Sequence, residues 1–275
     1  MSNSNVVSIV TKTDLTDLYK AHHILENPSF AMRLASVVGS PVELGVKMLP
    51  DGISQKIHQI TTLSVEKTFN VAVLTLPKKR LRPLPHRLYT GTAIGMGALG
   101  GLAGLPSLAV ELPITTTLLL RAIADVAQQE GEQLDDIESR LACMEVFALG
   151  GISKEDDAAE TGYYGVRFGL STLFNQATQY ISVHGMSQKG APVLVSLISS
   201  ISSRFGAVIS QKTALQMLPI AGAVGGAAVN GLFMEHFKEM AQGHFTMRRL
   251  EKKYGQDMVH TLYNGLGVPG YSTNF

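Results

Sequence analysis

Apolar residues recur along this chain at helical spacing, and no stretch keeps up the strict alternation of a half-buried strand. Ile53, Ile57, Ile60, Leu63 and Phe69 or Val73 fall near one face of a helix expected from about Ile53 to Leu76. Ile137, Leu141, Met144 and Phe147/Ala148 make a stripe between Asp135 and Leu149, with Gly150-Gly151 as its stop. Asp14 is placed to cap an earlier helix that runs through Leu18, His22 and Leu25 to about Glu26. Pro28 and Pro41 suit the first turns of two more. Pro113 to Ala127 reads as a buried helix containing Arg121. A helix from about Glu155 to Val183 carries Tyr164, Phe168, Leu170, Phe174 and Ile181, and Gly185 and Gly190 end it. Ala191 to Phe205 is another apolar segment, and an amphipathic helix closes near Tyr254-Gly255. The expected fold is therefore all-α, a compact multi-helix bundle. The expected layout is a flexible N-terminus over 1–13, one helical domain over 14–256 and an irregular tail over 257–275.

Two stretches break the amphipathic pattern. Leu88 to Val110 holds no charged residue for 23 positions, and Thr213 to Met234 repeats that chemistry for 22. Both exceed the about 20 apolar residues a bilayer crossing needs. Both are also rich in glycine, which costs a helix about 1 kcal/mol each relative to alanine. Small residues four apart, such as Gly97 with Gly101, Gly100 with Gly104 and Gly222 with Gly226, line one helix face and allow backbones to approach closely. Two Gly-rich helices packed centrally, with Gly97, Gly101, Gly104, Gly222 and Gly226 at the contact, are the expectation. The same pattern fits insertion into lipid or a close crossing inside a soluble domain.

Charge sharpens this reading. Only 16% of the residues are charged, where soluble domains average about 25%. The net charge of +1 leaves no basic surplus for phosphate contacts, so nucleic acid is not an expected partner. The segment 77–87 carries Lys78, Lys79, Arg80, Arg82 and Arg87 with no acid, directly before the first Gly-rich stretch. Such a linker is attracted to an anionic inner leaflet by about 1 kcal/mol per cation, or it is a solvated loop facing the acids further on. Those acids number eleven between Asp125 and Glu160, against Arg140 and Lys154, a local balance of −9. A single cysteine, Cys143, excludes an internal disulfide and fits a reducing compartment, and the polar first twenty residues do not form a secretory signal.

The block Gly100-Gly101-x-x-Gly104-Leu105-Pro106, Glu111-Leu112-Pro113, Leu120-Arg121-x-Ile123-Ala124, then Glu138 and Leu149-Gly150, resembles the EcsC family of bacterial proteins. A later block, Pro219-Ile220-x-Gly222-x-x-Gly225, Asn230, Ala241, Arg249-Leu250 and Tyr254-Gly255, is similar to the same family. Together they span roughly residues 50 to 260. Family members often have Asp where this chain has Glu111. The resemblance implies a link to ABC-transporter operons in some bacteria and supplies no catalytic residues.

Candidate chemistry is sparse. Glu111 and Arg121 are the only charges between Leu88 and Ala124, so they are expected to be a structural ion pair or an anion-binding site. Glu111, an acid after Asp125 and a lipid phosphate are the candidate partners of Arg121. His22, His23 and Glu26, and His236 with Glu239 and nearby His244, lack the spacing of a metal site, so no metal or cofactor is expected. No nucleophile elbow or phosphate loop occurs, and Cys143 sits among apolar residues. The literal G-x-G-x-x-G from Gly95 to Gly100 lacks its strand-led setting. The expected function is a non-enzymatic protein at the cytoplasmic face of a membrane, peripheral or partly inserted, binding anionic lipid or a membrane partner such as an ABC transporter. A soluble hydrolase of lipid-like substrates and a soluble transporter regulator are the alternatives.

Overall fold

The helix that organises the molecule is short and almost wholly buried. In the computed structural model, which describes residues 10–26, 52–76, 91–92, 95, 105–150, 162–185, 191–216 and 222–266, eight helices can be followed and no strand occurs among the described residues. They are α1 (Lys12–Glu26), α2 (Ile53–Thr75), α3 (Leu105–Gln129), α4 (Ile137–Leu149), α5 (Tyr163–His184), α6 (Pro192–Gln216), α7 (Gly222–Tyr254) and α8 (Gln256–Leu266). From Ser139 to Leu149 every residue of α4 is buried. The stripe expected there is too narrow a description, because a helix covered all round packs on all sides. It touches α2, α3, α5, α6 and α7.

Asp136 caps α4 by accepting from the Glu138 N–H at 3.4 Å. Arg140, buried in the same helix, donates to the carbonyls of Leu134 and Val73 and so ties α4 to the end of α2. Phe147 meets Phe205 of α6 and Phe237 of α7 with ring centroids 5.1 and 5.8 Å apart, and Phe233 closes the cluster 5.1 Å from Phe237. Burying one such ring stabilises the fold by roughly 1.5–3 kcal/mol.

Five local expectations change. Thr11, not Asp14, opens α1: the Asp14 N–H donates to Thr11 Oγ1 at 3.2 Å, and the Thr11 hydroxyl donates back to Asp14 Oδ2 at 2.7 Å. Thr11 is thus the N-cap, its own N–H donating to the Tyr254 hydroxyl at 3.4 Å, and Asp14 sits in the first turn. Helix α3 starts before Pro113 and carries it internally. Helix α6 runs eleven residues past Phe205, and α5 starts at Tyr163. The tail expected to be irregular from 257 instead contains α8, which buries Val259, Leu262 and Tyr263 at helical spacing after Gly255 turns the chain with φ of +90°.

Gly97, Gly101 and Gly104 lie outside the described residues, as do Lys78, Lys79, Arg80, Arg82 and Arg87. Gly222 and Gly226 belong to the opening turns of α7, so the second Gly-rich stretch is divided between the ends of α6 and α7. Among the described residues one segment, Pro192–Ala214, is long and apolar enough to cross a membrane. It belongs to α6, which packs against α2, α4, α5 and α7.

Candidate functional site

Polar side chains inside this bundle gather in three places. The first lies where α3, α6 and α7 meet. Glu111 Oε1 accepts from Lys212 Nζ at 2.7 Å and from Asn230 Nδ2 at 3.0 Å, all three residues being buried. Lys212 Nζ also sits 4.9 Å from the Phe233 ring centroid. Burial pushes the Lys212 ammonium down from its ordinary range, and Glu111 opposes that shift. The expected pairing of Glu111 with Arg121 is thus corrected. Both are on α3, but the cation that reaches Glu111 comes from α6, and Arg121 is half-buried with no ion pair among the described residues.

The second is a hub on α7. Arg249 donates to Asp14 Oδ1 at 3.1 Å, Asp17 Oδ2 at 2.7 Å and Glu130 Oε2 at 2.8 Å, fastening α1 and α3 to α7. Tyr254 donates to Asp14 Oδ2 at 2.6 Å. Lys253 and Tyr254 lead the contacts that hold the Asp14 carboxyl well below the usual range.

The third is a cleft of about 1170 Å³. Helix α4 lines it with Glu138, Leu141, Ala142 and Glu145, a spacing that puts all four on one face. Helix α5 adds Tyr164, Arg167, Phe168, Ser171 and Phe174, α7 adds Arg248, and α8 adds Asp257, His260 and Tyr263. From α1 come His22 and Glu26. Glu26 Oε1 is fixed by the Tyr163 N–H at 3.1 Å and the Tyr263 hydroxyl at 2.6 Å. Arg167 donates to Glu251 Oε1 at 2.7 Å, which also accepts from the Tyr164 hydroxyl at 2.8 Å. Arg248 donates to Glu132 at 2.9 Å and to Glu138 at 3.0 Å. Burial alone would raise the Glu132 carboxyl, but Arg248, Ser139 and Lys252 hold it down to about 2.

Glu145 differs from these. Its carboxyl has Arg167 Nε at 4.0 Å and His244 Nε2 at 3.6 Å, and no described residue donates a hydrogen bond to it. Burial pushes it up, with Arg167 and Arg248 opposing. His244 is fully buried, with Nδ1 3.1 Å from the Tyr163 hydroxyl. Burial, assisted by Arg167 and Arg248, holds it well below its ordinary value, so the imidazole is neutral.

A match to the EcsC protein family covers residues 12–250. The chain belongs to the EcsC family. No curated protein and no solved structure matches it. The positions that carried the EcsC resemblance in sequence now have structural roles. Glu111 and Asn230, one from each block, bond each other across 119 residues of chain. Gly150 accepts from His236 at 3.0 Å, and a Cβ placed on it would lie 2.7 Å from the Phe237 ring. Arg249, Tyr254 and Gly255 form the α1 hub and the turn into α8. Among the described residues of this EcsC chain no group of three His, Cys, Asp or Glu is arranged to hold a metal ion. Cys143 is buried, its thiol is pushed up by burial, and it donates to the Ser139 carbonyl at 3.4 Å. Lys212, Glu145, Arg167 and Arg248 were not candidates in sequence. Lys212 is the only charge between Arg204 and Glu235, and Glu145 the only one between Arg140 and Lys154.

Proposed function

We propose that this EcsC protein attaches peripherally to the cytoplasmic face of a membrane and binds anionic lipid there, directly or beside a membrane partner. The observation that carries this reading is a pair of packed helices with unburied apolar side chains on either side of a cationic segment. On α2, Leu63 and Leu74 are 56% and 59% exposed, and their spacing of eleven residues returns to the same helix face. On α3, Val110 and Ile114 are 63% and 42% exposed at a spacing of four. Helices α2 and α3 pack together, and the chain between them carries Lys78, Lys79, Arg80, Arg82 and Arg87 with no acid from Leu76 to Val110. Cations supply long-range attraction to anionic headgroups, and exposed leucine and valine add contact that salt does not screen.

A hydrolase reading requires a nucleophile within hydrogen-bond reach of a base. Ser139 does reach a carboxylate, donating to Glu132, but both are buried away from the cleft lining and Glu132 is committed to Arg248 and Lys252. Ser171 and Cys143 donate to main-chain carbonyls, and these contacts support binding over hydrolysis.

Vesicle sedimentation tests the proposal. Binding should increase with phosphatidylglycerol content and decrease with salt. Changing Lys78, Lys79, Arg80 and Arg82 together to glutamine should remove most of it while leaving the melting curve in place. Undiminished binding by that variant to anionic vesicles would reject the electrostatic part of the reading.

A further inference from the structure

The cleft bounded by α4, α5 and α8 presents more carboxylates than it has cations free to neutralise. Glu26, Glu138, Glu145 and Asp257 line it, against Arg167 and Arg248. Each guanidinium is shared with an acid outside the lining: Arg167 bonds Glu251 at 2.7 Å and stands 4.0 Å from Glu145, and Arg248 bonds Glu132 at 2.9 Å as well as Glu138 at 3.0 Å. Acid surplus alone does not make a site. The second observation is Glu145, more than nine-tenths buried at 7% exposure, lining the cleft and receiving no hydrogen bond from any described residue.

A buried carboxyl without donors is costly unless a ligand supplies them. With His244 neutral, Arg167 at 4.0 Å is the cation in ion-pair contact with Glu145 among the described residues, and Arg248 acts on it only from beyond that distance. Aromatic rings complete the walls: Tyr164 lies half-buried on α5, and one turn on, Phe168 is 83% exposed. An unburied phenylalanine beside a polar cleft offers its π face to a cation.

We propose that this cleft binds an aliphatic amine through its protonated nitrogen, with Glu145 as the acceptor at the floor and Tyr164 and Phe168 as the flanking rings. The empty acceptor positions on Glu145 select an ammonium with N–H donors over a quaternary ammonium, which has none. The acid surplus selects against phosphates and carboxylates. The same ammonium chemistry is found on a free amine and on an ethanolamine lipid headgroup. The inference does not rest on membrane attachment through residues 78–87.

The test uses the full chain. Calorimetric titration with putrescine should give binding, with butanediol as the uncharged isostere and tetramethylammonium as the cation lacking N–H. In parallel, sedimentation with phosphatidylcholine vesicles is compared with and without phosphatidylethanolamine. Putrescine binding identifies a soluble amine as ligand, and ethanolamine-dependent sedimentation identifies the headgroup. Glu145→Gln keeps the shape and removes the charge, and should weaken the productive arm about tenfold or more. Phe168→Ala, at an exposed position that cannot unfold the bundle, should weaken it about threefold. Binding of butanediol as tight as putrescine, full binding by Glu145→Gln, or no response in either arm would each overturn the proposal.

Discussion

Replacing Lys212 with methionine leaves the Glu111 carboxylate in the core with its cation gone. In the folded protein Nζ is 2.7 Å from Glu111 Oε1, and the two side chains are 0% and 3% exposed. Breaking a buried pair from one side typically costs about 3–5 kcal/mol, because the remaining charge is desolvated and uncompensated. Methionine preserves the aliphatic bulk, so cavity terms add little. Glu111→Leu should cost a similar amount by stranding the Lys212 ammonium. The double variant strands neither charge. It removes one acceptor from Asn230, which bonds Glu111 at 3.0 Å, and that loss is worth about 1–3 kcal/mol. Urea midpoints read by circular dichroism at fixed pH should therefore rank parent, double variant, then either single. The double should fall at least about 3 kcal/mol short of the summed singles. Additive losses would refute the reasoning, since they would mean that lost packing, not uncompensated charge, sets the cost.

Other predictions follow the same contacts. Glu132 has a folded value of about 2 against an ordinary 4.5, so its contribution is present above 4.5 and lost as the pH falls toward 2. Urea midpoints of the parent should drop across that window by an amount reaching roughly 3 kcal/mol, and Glu132→Gln should flatten that part of the profile. Gly150→Ala places a Cβ 2.7 Å from a Phe237 ring carbon and 3.0 Å from His236 Nε2, and should lower stability by about 1–3 kcal/mol; an unchanged melting temperature would show that the ring yields freely. Arg249→Met removes three charged bonds that hold α1 to α3 and α7, and should make α1 the first site of limited proteolysis.

The helical class was legible because apolar spacing and helix stops agree over most of the chain. Ile57, Phe69 and Val73 are buried on α2 as their spacing requires. Leu63 shares the pattern yet is exposed, since periodicity marks a face and not what covers it. Helix α8 was hidden because glycine on both sides of a short segment reads as irregular, although Val259, Leu262 and Tyr263 keep helical spacing. Glu111 was recognisable as a lone charge in an apolar run, but its partner lies 101 residues away, a distance no local pattern spans. Lys212 and Glu145 satisfy the same lone-charge criterion, so that signal was present in the sequence. The cleft was not legible, because Glu145, Phe168 and Asp257 belong to three helices that only tertiary packing brings to one cavity.

Most of the polar residues that carry the EcsC resemblance spend their polar groups on contacts within the helical bundle. Glu111 is occupied by Lys212 and Asn230, Arg249 by three acids, and Tyr254 by Asp14, so these positions define how α1, α3, α6 and α7 assemble. The groups with capacity left for a ligand lie elsewhere: Glu145 lacks a donor, and Phe168 lacks a cover. Glu138 is in both sets, bonding Arg248 while lining the cleft. Family membership therefore speaks to the scaffold, and the chemistry has to be read from the cleft and from residues 78–87. Substitutions at the scaffold positions should abolish every activity together through loss of folding. Substitutions at Glu145 or Phe168 should separate amine binding from attachment to anionic vesicles, and only such separation assigns a function to either surface.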